Sequence, residues 1–252
     1  MTHNSMIALS SIRIILVGTT HPGNLGAAAR AMKTMGLRDL ALVAPQCFPS
    51  VDATAMAAGA DDLLMQAQVV DQLAPVCADC LWVVGTTARE RGYSTPVLTP
   101  EAAAAGLLER ASSGPVALVF GRESSGLSNA ELDHCHALVR IPTAEDFCSL
   151  NLAAAVQVMS YVLRHTAMSG AMSGSVTPIA EPAQRPATSA ELEGFLAHLE
   201  QVLTQIGFLD PAKPRQLLRR LRHVFWRAGL SVSEVQMLRG ILTQIQRRGT
   251  SA

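Results

Sequence analysis

Residues 12–32 have the sequence IRIILVGTTHPGNLGAAARAM, in which an apolar run leads through a glycine loop into a helical pattern. The run at residues 12–17 has the composition of a buried strand, and residues 27–35 have the pattern of a helix. Glycine lets a backbone approach a ligand closely, so the loop HPGNLG between them is a candidate binding loop. The alternative is that Gly23 and Gly26 only make a tight turn, and that Asn24 only caps the helix.

The same alternation of short apolar runs and helical patterns continues through residue 165. Further candidate strands lie at residues 40–43, 81–84, 116–120 and 137–141, and a candidate helix lies at residues 100–111. Residues 149–165 have the pattern of a long amphipathic helix. Short apolar strands that alternate with helices predict an α/β fold with a parallel sheet.

The composition changes abruptly after this body. Residues 167–188 are rich in Ser, Gly and Pro, which predicts a flexible linker between a body at residues 1–166 and a tail at residues 189–252. The tail has three helical patterns, which begin after a cap at Thr188 or Ser189, at residue 213 and at residue 231. We therefore expect a small helical module joined to the α/β body.

Charge is distributed unevenly between body and tail. Residues 1–170 hold 10 Lys/Arg and 14 Asp/Glu, which gives a net charge of −4. Residues 171–252 hold 10 Lys/Arg and 6 Asp/Glu, which gives +4. The densest basic segment is RQLLRRLRH, residues 215–223, which has few acids near it in sequence. Unpaired arginines favour phosphate backbones, so the tail is a candidate nucleic-acid contact. The alternative is a solvated helix face that covers apolar surface with arginine stems.

The remaining composition excludes several classes of protein. Five cysteines, an odd number, do not suggest a disulfide framework. No apolar stretch is long enough for a membrane span, and the first dozen residues lack the pattern of a signal peptide. We therefore expect a soluble cytoplasmic protein without a membrane partner.

Two common kinds of cofactor site are also disfavoured. The first loop lacks the Gly-Lys-Ser/Thr of a P-loop and the Gly-x-Gly-x-x-Gly of a dinucleotide fold, and no acid follows Val43, so NAD binding is not expected. Cys77-x-x-Cys80 has no second cysteine pair, and the residues of His134-Cys135-His136 are adjacent rather than spaced as ligands. The sequence therefore predicts no metal site.

Two later segments also place polar side chains after apolar runs. Residues 120–127 have the sequence FGRESSGL and are followed by a capped helix at residues 128–131, and residues 141–153 contain IPT and SLNLA. For residues 120–127 the alternative is an ordinary strand–turn–helix connection, in which Arg122 and Glu123 pair with each other.

With these three motifs in this order, residues 12–166 resemble the SpoU/TrmH branch of the SPOUT RNA methyltransferases. Residues 30–37, RAMKTMGL, and 83–89, VVGTTAR, add to the similarity. The resemblance implies a parallel α/β domain with a C-terminal trefoil knot, S-adenosylmethionine bound in the knot, and a homodimer whose active site spans two subunits. It also implies a reaction that needs no metal.

The resemblance assigns roles residue by residue. Arg30 matches the catalytic arginine, either as the base or as a stabiliser of the developing alkoxide, and Asn24, Glu123, Ser149 and Asn151 match residues that arrange the target ribose. Cys148 stands where the family pattern admits Ser, and a backbone contact is expected there. The residues that match cofactor contacts are Thr86, Thr87, Ala88, Gly121, Ile141, Cys148, Ser149 and Leu150.

Within that branch, the similarity is greatest to bacterial enzymes that methylate the 2′-hydroxyl of cytidine or uridine in tRNA, at position 32 of the anticodon loop. Tail residues expected to contact RNA are Arg215, Arg219, Arg220 and Arg222. Two alternatives stay open: the same chemistry on ribosomal RNA or another tRNA position, and an RNA-binding protein of this fold without activity. The presence of Asn24, Arg30, Glu123 and Asn151 together disfavours the second.

Overall fold

The computed structural model describes residues 8–88, 95–169, 185–210 and 217–249. The chain forms two compact units, Met1–Ser175 and Val176–Ala252. The predicted linker at residues 167–188 falls mostly outside the described residues, so its character stays a prediction.

The first unit is built on a parallel sheet, as predicted. In the described ranges its strands are β1 (Ile12–Val17), β2 (Asp39–Val43), β3 (Gln68–Val70), β4 (Trp82–Thr86), β5 (Val97–Leu98), β6 (Val116–Phe120) and β7 (Ala137–Val139). Their order across the sheet is β3-β2-β1-β6-β4-β7-β5, and every neighbouring pair is parallel. β7 is shorter than predicted, and β3 and β5 had no sequence signal because they have only three and two residues.

Helices cover both faces of this sheet. They are α1 (Pro22–Met35), α2 (Val51–Ala57), α3 (Asp61–Met65), α4 (Leu73–Cys77), α5 (Pro100–Ala111), α6 (Asn129–Leu132) and α7 (Leu152–Met168). Ile14 and Leu16 face a core shared with α1, α5 and α7, while Ile15 and Val17 face a second core that includes α4. Burial on both faces explains why β6 and the last four residues of β1 and of β2 are continuously apolar.

Parallel pairing brings the carboxyl ends of the central strands to one edge of the sheet. The register pairs Leu16 with Phe120, Gly85 with Val119, and Thr86 with Val139. Motifs that follow β1, β4, β6 and β7 therefore meet at this edge, where ligands bind in open α/β sheets. The trefoil knot implied by the resemblance stays a prediction.

The second unit contains α8 (Ser189–Gln205), α9 (Leu217–Ala228) and α10 (Val232–Gly249). Thr188 caps α8 and forms a capping box with Glu191, and Ser231 and Glu234 bond reciprocally at the start of α10. The unit has its own apolar core, in which the Phe195 and Phe225 rings meet edge to face. No helix in the described part of the chain is long and apolar enough to cross a membrane.

Candidate active site

A pocket of 320 Å³ opens at the carboxyl edge of the sheet. Its volume is in the range of small-molecule sites. Its floor includes the buried side chains of Phe120, Leu127 and Val139. The structure brings together in its wall all eight residues expected to contact a cofactor: Thr86, Thr87, Ala88, Gly121, Ile141, Cys148, Ser149 and Leu150.

One wall of the pocket is an exposed loop at residues 142–151. Cys148, Ser149 and Leu150 lie on this loop, and the Phe147 side chain beside them is 76% exposed. The expectation that a helix begins at Ser149 is wrong. α7 begins at Leu152 because Asn151 caps it, accepting hydrogen bonds from the N–H groups of Ala153 (2.9 Å) and Ala154 (3.3 Å).

Gly121 begins a tight loop that closes on itself through Arg122 and Gly126. The N–H of Gly126 donates to the Arg122 carbonyl over 2.9 Å, and the N–H of Arg122 donates back to the Gly126 carbonyl over 3.2 Å. A Cβ at Gly121 would overlap the backbone of Gly126 and Leu127. A side chain there would therefore meet the protein's own loop before it met a ligand.

Glu123 is the centre of a group of hydrogen bonds at the edge of this pocket. Its Oε2 accepts from the N–H and the Oγ1 of Thr20, both at 3.2 Å, and its Oε1 accepts from Asn24 Nδ2 at 3.0 Å and from the His21 N–H at 3.4 Å. Burial acts to raise the pKa of the Glu123 carboxyl, but the hydrogen bonds from Asn24 and the backbone outweigh it, so the pKa is lowered.

Asn24 connects Glu123 to the cap of α7. Asn151 Nδ2 donates to Asn24 Oδ1 over 2.9 Å, while Asn24 Nδ2 donates to Glu123. Asn24 does not cap α1, because His21 occupies the N-cap position and Pro22 follows it. The structure thus brings Asn24, Glu123 and Asn151 into one hydrogen-bonded chain, with Ser149 in the adjoining wall.

The orientation of both amides in this chain is determined from one end. Backbone N–H groups at the start of α7 only donate, so the Asn151 oxygen must face them and its nitrogen must face Asn24. The Asn24 nitrogen then faces Glu123, which accepts when it is ionised. The amide nitrogens of Asn24 and Asn151 each keep a second hydrogen that these hydrogen bonds do not use.

Arg122 does not pair with Glu123, although the two residues are adjacent. Its guanidinium donates to both carboxylate oxygens of Glu131, at 3.0 and 2.9 Å. Glu131 also completes the capping box of α6 with Ser128. Gly18 leaves room for this arrangement, because a Cβ there would lie 2.7 Å from Arg122 Nε. Arg122 therefore joins the loop after β6 to α6 and leaves Glu123 to Asn24.

Arg30 does not lie in the pocket wall. It is exposed on α1, and its side chain has no partner among the described residues. The structure of one chain therefore does not bring Arg30 together with Asn24, Glu123 and Asn151.

The tail arginines that were expected to contact RNA differ in their exposure and in their partners. Arg222 donates to Glu193 Oε2 over 2.8 Å and lies 5.6 Å from the ring centre of Trp226, so the expectation that its charge is unpaired is wrong. Arg220 is exposed and Arg219 is half-buried on α9, while Arg215 lies outside the described residues.

The cysteine and histidine motifs belong to the core. Cys77, Cys80 and Cys135 are buried and form no disulfide with any cysteine of the described residues, and burial raises the pKa of each thiol. His136 accepts at Nδ1 from the Val83 N–H. Within the described ranges, no group of three or more His, Cys, Asp or Glu side chains is placed to hold a metal ion.

Sequence reasoning missed Thr20, which makes two of the four hydrogen bonds to Glu123. It also missed Thr143, Ser124 and Ser125 in the pocket wall. The signal for Thr20 was its place between the first strand and the glycine loop.

The model of the SpoU rRNA Methylase family matches residues 11–161, and that of the C-terminal domain of the tRNA methyltransferase TrmJ matches residues 190–252. The tRNA (cytidine/uridine/adenosine-2′-O-)-methyltransferase TrmJ of Pseudomonas aeruginosa is 48% identical over 250 residues, 96% of this chain and 97% of that protein. The tRNA (cytidine/uridine-2′-O-)-methyltransferase TrmJ of Yersinia enterocolitica is 44% identical over 241 residues, 95% of this chain and 93% of that protein. The crystal structure of TrmJ from Z. mobilis ZM4 superposes with a TM-score of 0.78 at 35% identity, and covers 93% of this chain and 98% of that one.

Proposed function

The chain belongs to the SpoU rRNA Methylase family, and on that premise we propose that it transfers a methyl group from S-adenosylmethionine to a ribose 2′-hydroxyl of tRNA. The observation that carries the proposal is the hydrogen-bonded chain Glu123–Asn24–Asn151 at the rim of the pocket. The match of the tail to the C-terminal domain of a tRNA methyltransferase supports tRNA rather than ribosomal RNA. We propose C or U at position 32 as the target and the cytoplasm as the place of reaction.

The pocket fits S-adenosylmethionine. The volume suffices, and Gly121 adds no side chain to its wall. Ile141 and Leu150 would cover the apolar face of the cofactor, and the backbone of residues 86–88 and 148–150 would supply polar contacts. The cofactor supplies a methyl group activated by a positively charged sulfur.

The polar chain at the rim can hold a ribose but cannot take its proton. Asn24 and Asn151 each have one unused amide hydrogen that can donate to a ribose or phosphate oxygen. Glu123 accepts four hydrogen bonds and its pKa is lowered, which disfavours it as a base. The group that receives or stabilises the charge of the 2′-oxygen must therefore come from elsewhere, and we propose Arg30.

We propose that Arg30 reaches the site of a second copy in a homodimer. One face of α1 consists of small residues around a single arginine. Its members are half-buried or exposed and follow one another at helical spacing: Gly23, Ala27, Arg30 and Thr34. On α7, Tyr161 and Met168 are 55% and 59% exposed, with His165 between them. The two helices pack together, so their outer faces can form one continuous surface, and a twofold dimer uses the same surface on both subunits.

We propose that the helical unit contacts tRNA through the outer face of α9. Arg220, Val224 and Arg227 are exposed at spacings of four and three residues, which places them on one side of the helix. Arg227 has no partner among the described residues, whereas Arg222 is held by Glu193. The tail therefore offers phosphate contacts that the acidic body lacks.

The test is a map of 2′-O-methyl groups in tRNA and ribosomal RNA from a strain that lacks the gene. We expect the methyl group at position 32 of a subset of tRNAs to disappear and to return with the wild-type gene, but not with Arg30→Ala. The purified protein should methylate the same tRNAs with S-adenosylmethionine alone. Unchanged tRNA methylation together with a loss in ribosomal RNA would overturn the proposed substrate.

A further inference from the structure

Thr20 lies in the loop between β1 and α1, outside the pocket wall, and is half-buried. Its N–H and its Oγ1 both lie 3.2 Å from Oε2 of Glu123. The other carboxylate oxygen is held by Asn24 Nδ2 and the His21 N–H. Thr20 therefore supplies the only side-chain donor to Oε2 among the described residues.

The Thr20 hydroxyl strengthens the hold on the Oε2 side of the carboxylate. A carboxylate can turn about its terminal bond, and donors on both of its oxygens restrict that turning. The backbone N–H of Thr20 comes from a loop, and its hydroxyl adds the second donor on that side. If Glu123 turned, Oε1 would leave Asn24, which links Glu123 to Asn151.

We infer that Thr20 is a positioning residue for the methyl-transfer reaction, because its hydroxyl holds Glu123 in the orientation that aligns the Asn24 amide. This inference rests on the proposed function. Thr20 does not touch the substrate in this scheme. Its effect passes through Glu123 and Asn24 to the ribose.

The variants Thr20→Val and Thr20→Ser separate the hydroxyl from the rest of the side chain. Valine keeps the shape and loses the donor, whereas serine keeps the donor and loses a methyl group. We expect Thr20→Val to lower kcat roughly tenfold, the loss that corresponds to one hydrogen bond to a charged group. KM for tRNA and the Kd for S-adenosylmethionine should change less than about twofold, because neither contact set includes Thr20. Thr20→Ser should restore kcat.

A second readout is the pKa of the Glu123 carboxyl, followed both in the pH dependence of activity and, without an activity assay, by spectroscopic titration. Loss of a donor to the ionised form raises the pKa of Glu123, so the acid limb of the pH–rate profile should move to higher pH in Thr20→Val. The adjacent charged residue, Arg122, is held by Glu131, and the four donors to Glu123 among the described residues are neutral groups. The same shift should be measurable by ¹³C NMR of the Glu123 carboxyl in the full-length protein.

The outcomes distinguish this inference from the proposed function. If the wild-type protein transfers no methyl group to tRNA, the proposed function fails, and the NMR shift still tests the role of Thr20. Equal kcat and equal Glu123 pKa in Thr20→Val and wild type would overturn the inference. If Thr20→Val does not fold, Thr20→Ala takes its place, and its rescue by Thr20→Ser is measured in the same way.

Discussion

Asn151 donates to Asn24 over 2.9 Å and so joins the cap of α7 to the first helix of the sheet domain. One amide performs two tasks, since its oxygen caps α7 and its nitrogen orients Asn24. The orientation of Asn24 at the rim of the pocket therefore depends on a helix end that lies 127 residues later in the sequence.

The two tasks of Asn151 can be separated by substitution. Asn151→Asp keeps an oxygen for the cap and loses the donor to Asn24, so we expect stability near that of wild type and a loss of methyl transfer. Asn151→Ala should lose both, with a decrease in the free energy of unfolding of about 1 kcal/mol. Urea unfolding and a methylation assay on both variants test this. An active Asn151→Asp enzyme would show that the donor is not needed.

Arg30→Ala should lower methyl transfer by roughly 100-fold or more while the Kd for S-adenosylmethionine stays unchanged, because Arg30 lies outside the pocket wall. Mixing inactive subunits tests whether the site is shared. An equal mixture of Arg30→Ala and Asn24→Ala chains, exchanged to equilibrium, should regain about a quarter of wild-type activity if Arg30 acts in the partner's site. No recovery would mean that Arg30 and Asn24 act within one chain.

Gly121→Ala should destabilise the protein as well as weaken cofactor binding, because its Cβ would overlap the backbone of Gly126 and Leu127. We expect a decrease of about 1–3 kcal/mol in the free energy of unfolding. Gly23→Ala is the matched control, since a Cβ there would meet only the Met56 side chain at 3.7 Å. Thermal unfolding and calorimetric titration with S-adenosylmethionine measure the two effects. A Gly121→Ala protein as stable as wild type would contradict the loop geometry.

Acid should weaken the clamp between Arg122 and Glu131. Burial acts to raise the pKa of Glu131, but the bond from Arg122 and those from Ser128 outweigh it, so the folded-state pKa is lowered. A carboxyl with a lowered pKa stabilises the fold above its unfolded-state value, about 4.3, and this contribution is lost as pH falls through the folded-state pKa. Glu131→Gln should therefore be less stable at pH 7 and lose less stability between pH 5 and acid. Unfolding curves across this range measure it, and parallel curves for both proteins would refute it.

Arg222 and Arg227 provide a matched pair on α9. Arg227→Gln should weaken tRNA binding and reduce the slope of log affinity against log salt by about 1, without loss of stability. Arg222→Gln should lower the unfolding temperature, because it leaves Glu193 without this partner, and should change the salt slope little. Filter binding at several salt concentrations gives both slopes. The reverse pattern would place the RNA contact on the other face of α9.

Long, strongly patterned segments were predictable from the sequence. β6 and α5 match their predicted bounds because a continuous apolar run and a Thr-Pro start are local signals. The role of Asn24 was not predictable in the same way, because its partners lie 99 and 127 residues away. The pairing of the Arg222 charge was not predictable for the same reason, since Glu193 is on another helix. The residues of the pocket could be named from the motifs, but their hydrogen-bond partners depend on tertiary structure.

The position of Asn151 at the cap of α7 also affects how the site is made during synthesis. Asn24 leaves the ribosome first, Glu123 follows, and Asn151 emerges last, so the three residues cannot bond to one another until the start of α7 has been synthesised. The two amides acquire their orientation only when the first turn of α7 forms. The site and the sheet domain are therefore both completed late in synthesis, when α7 forms.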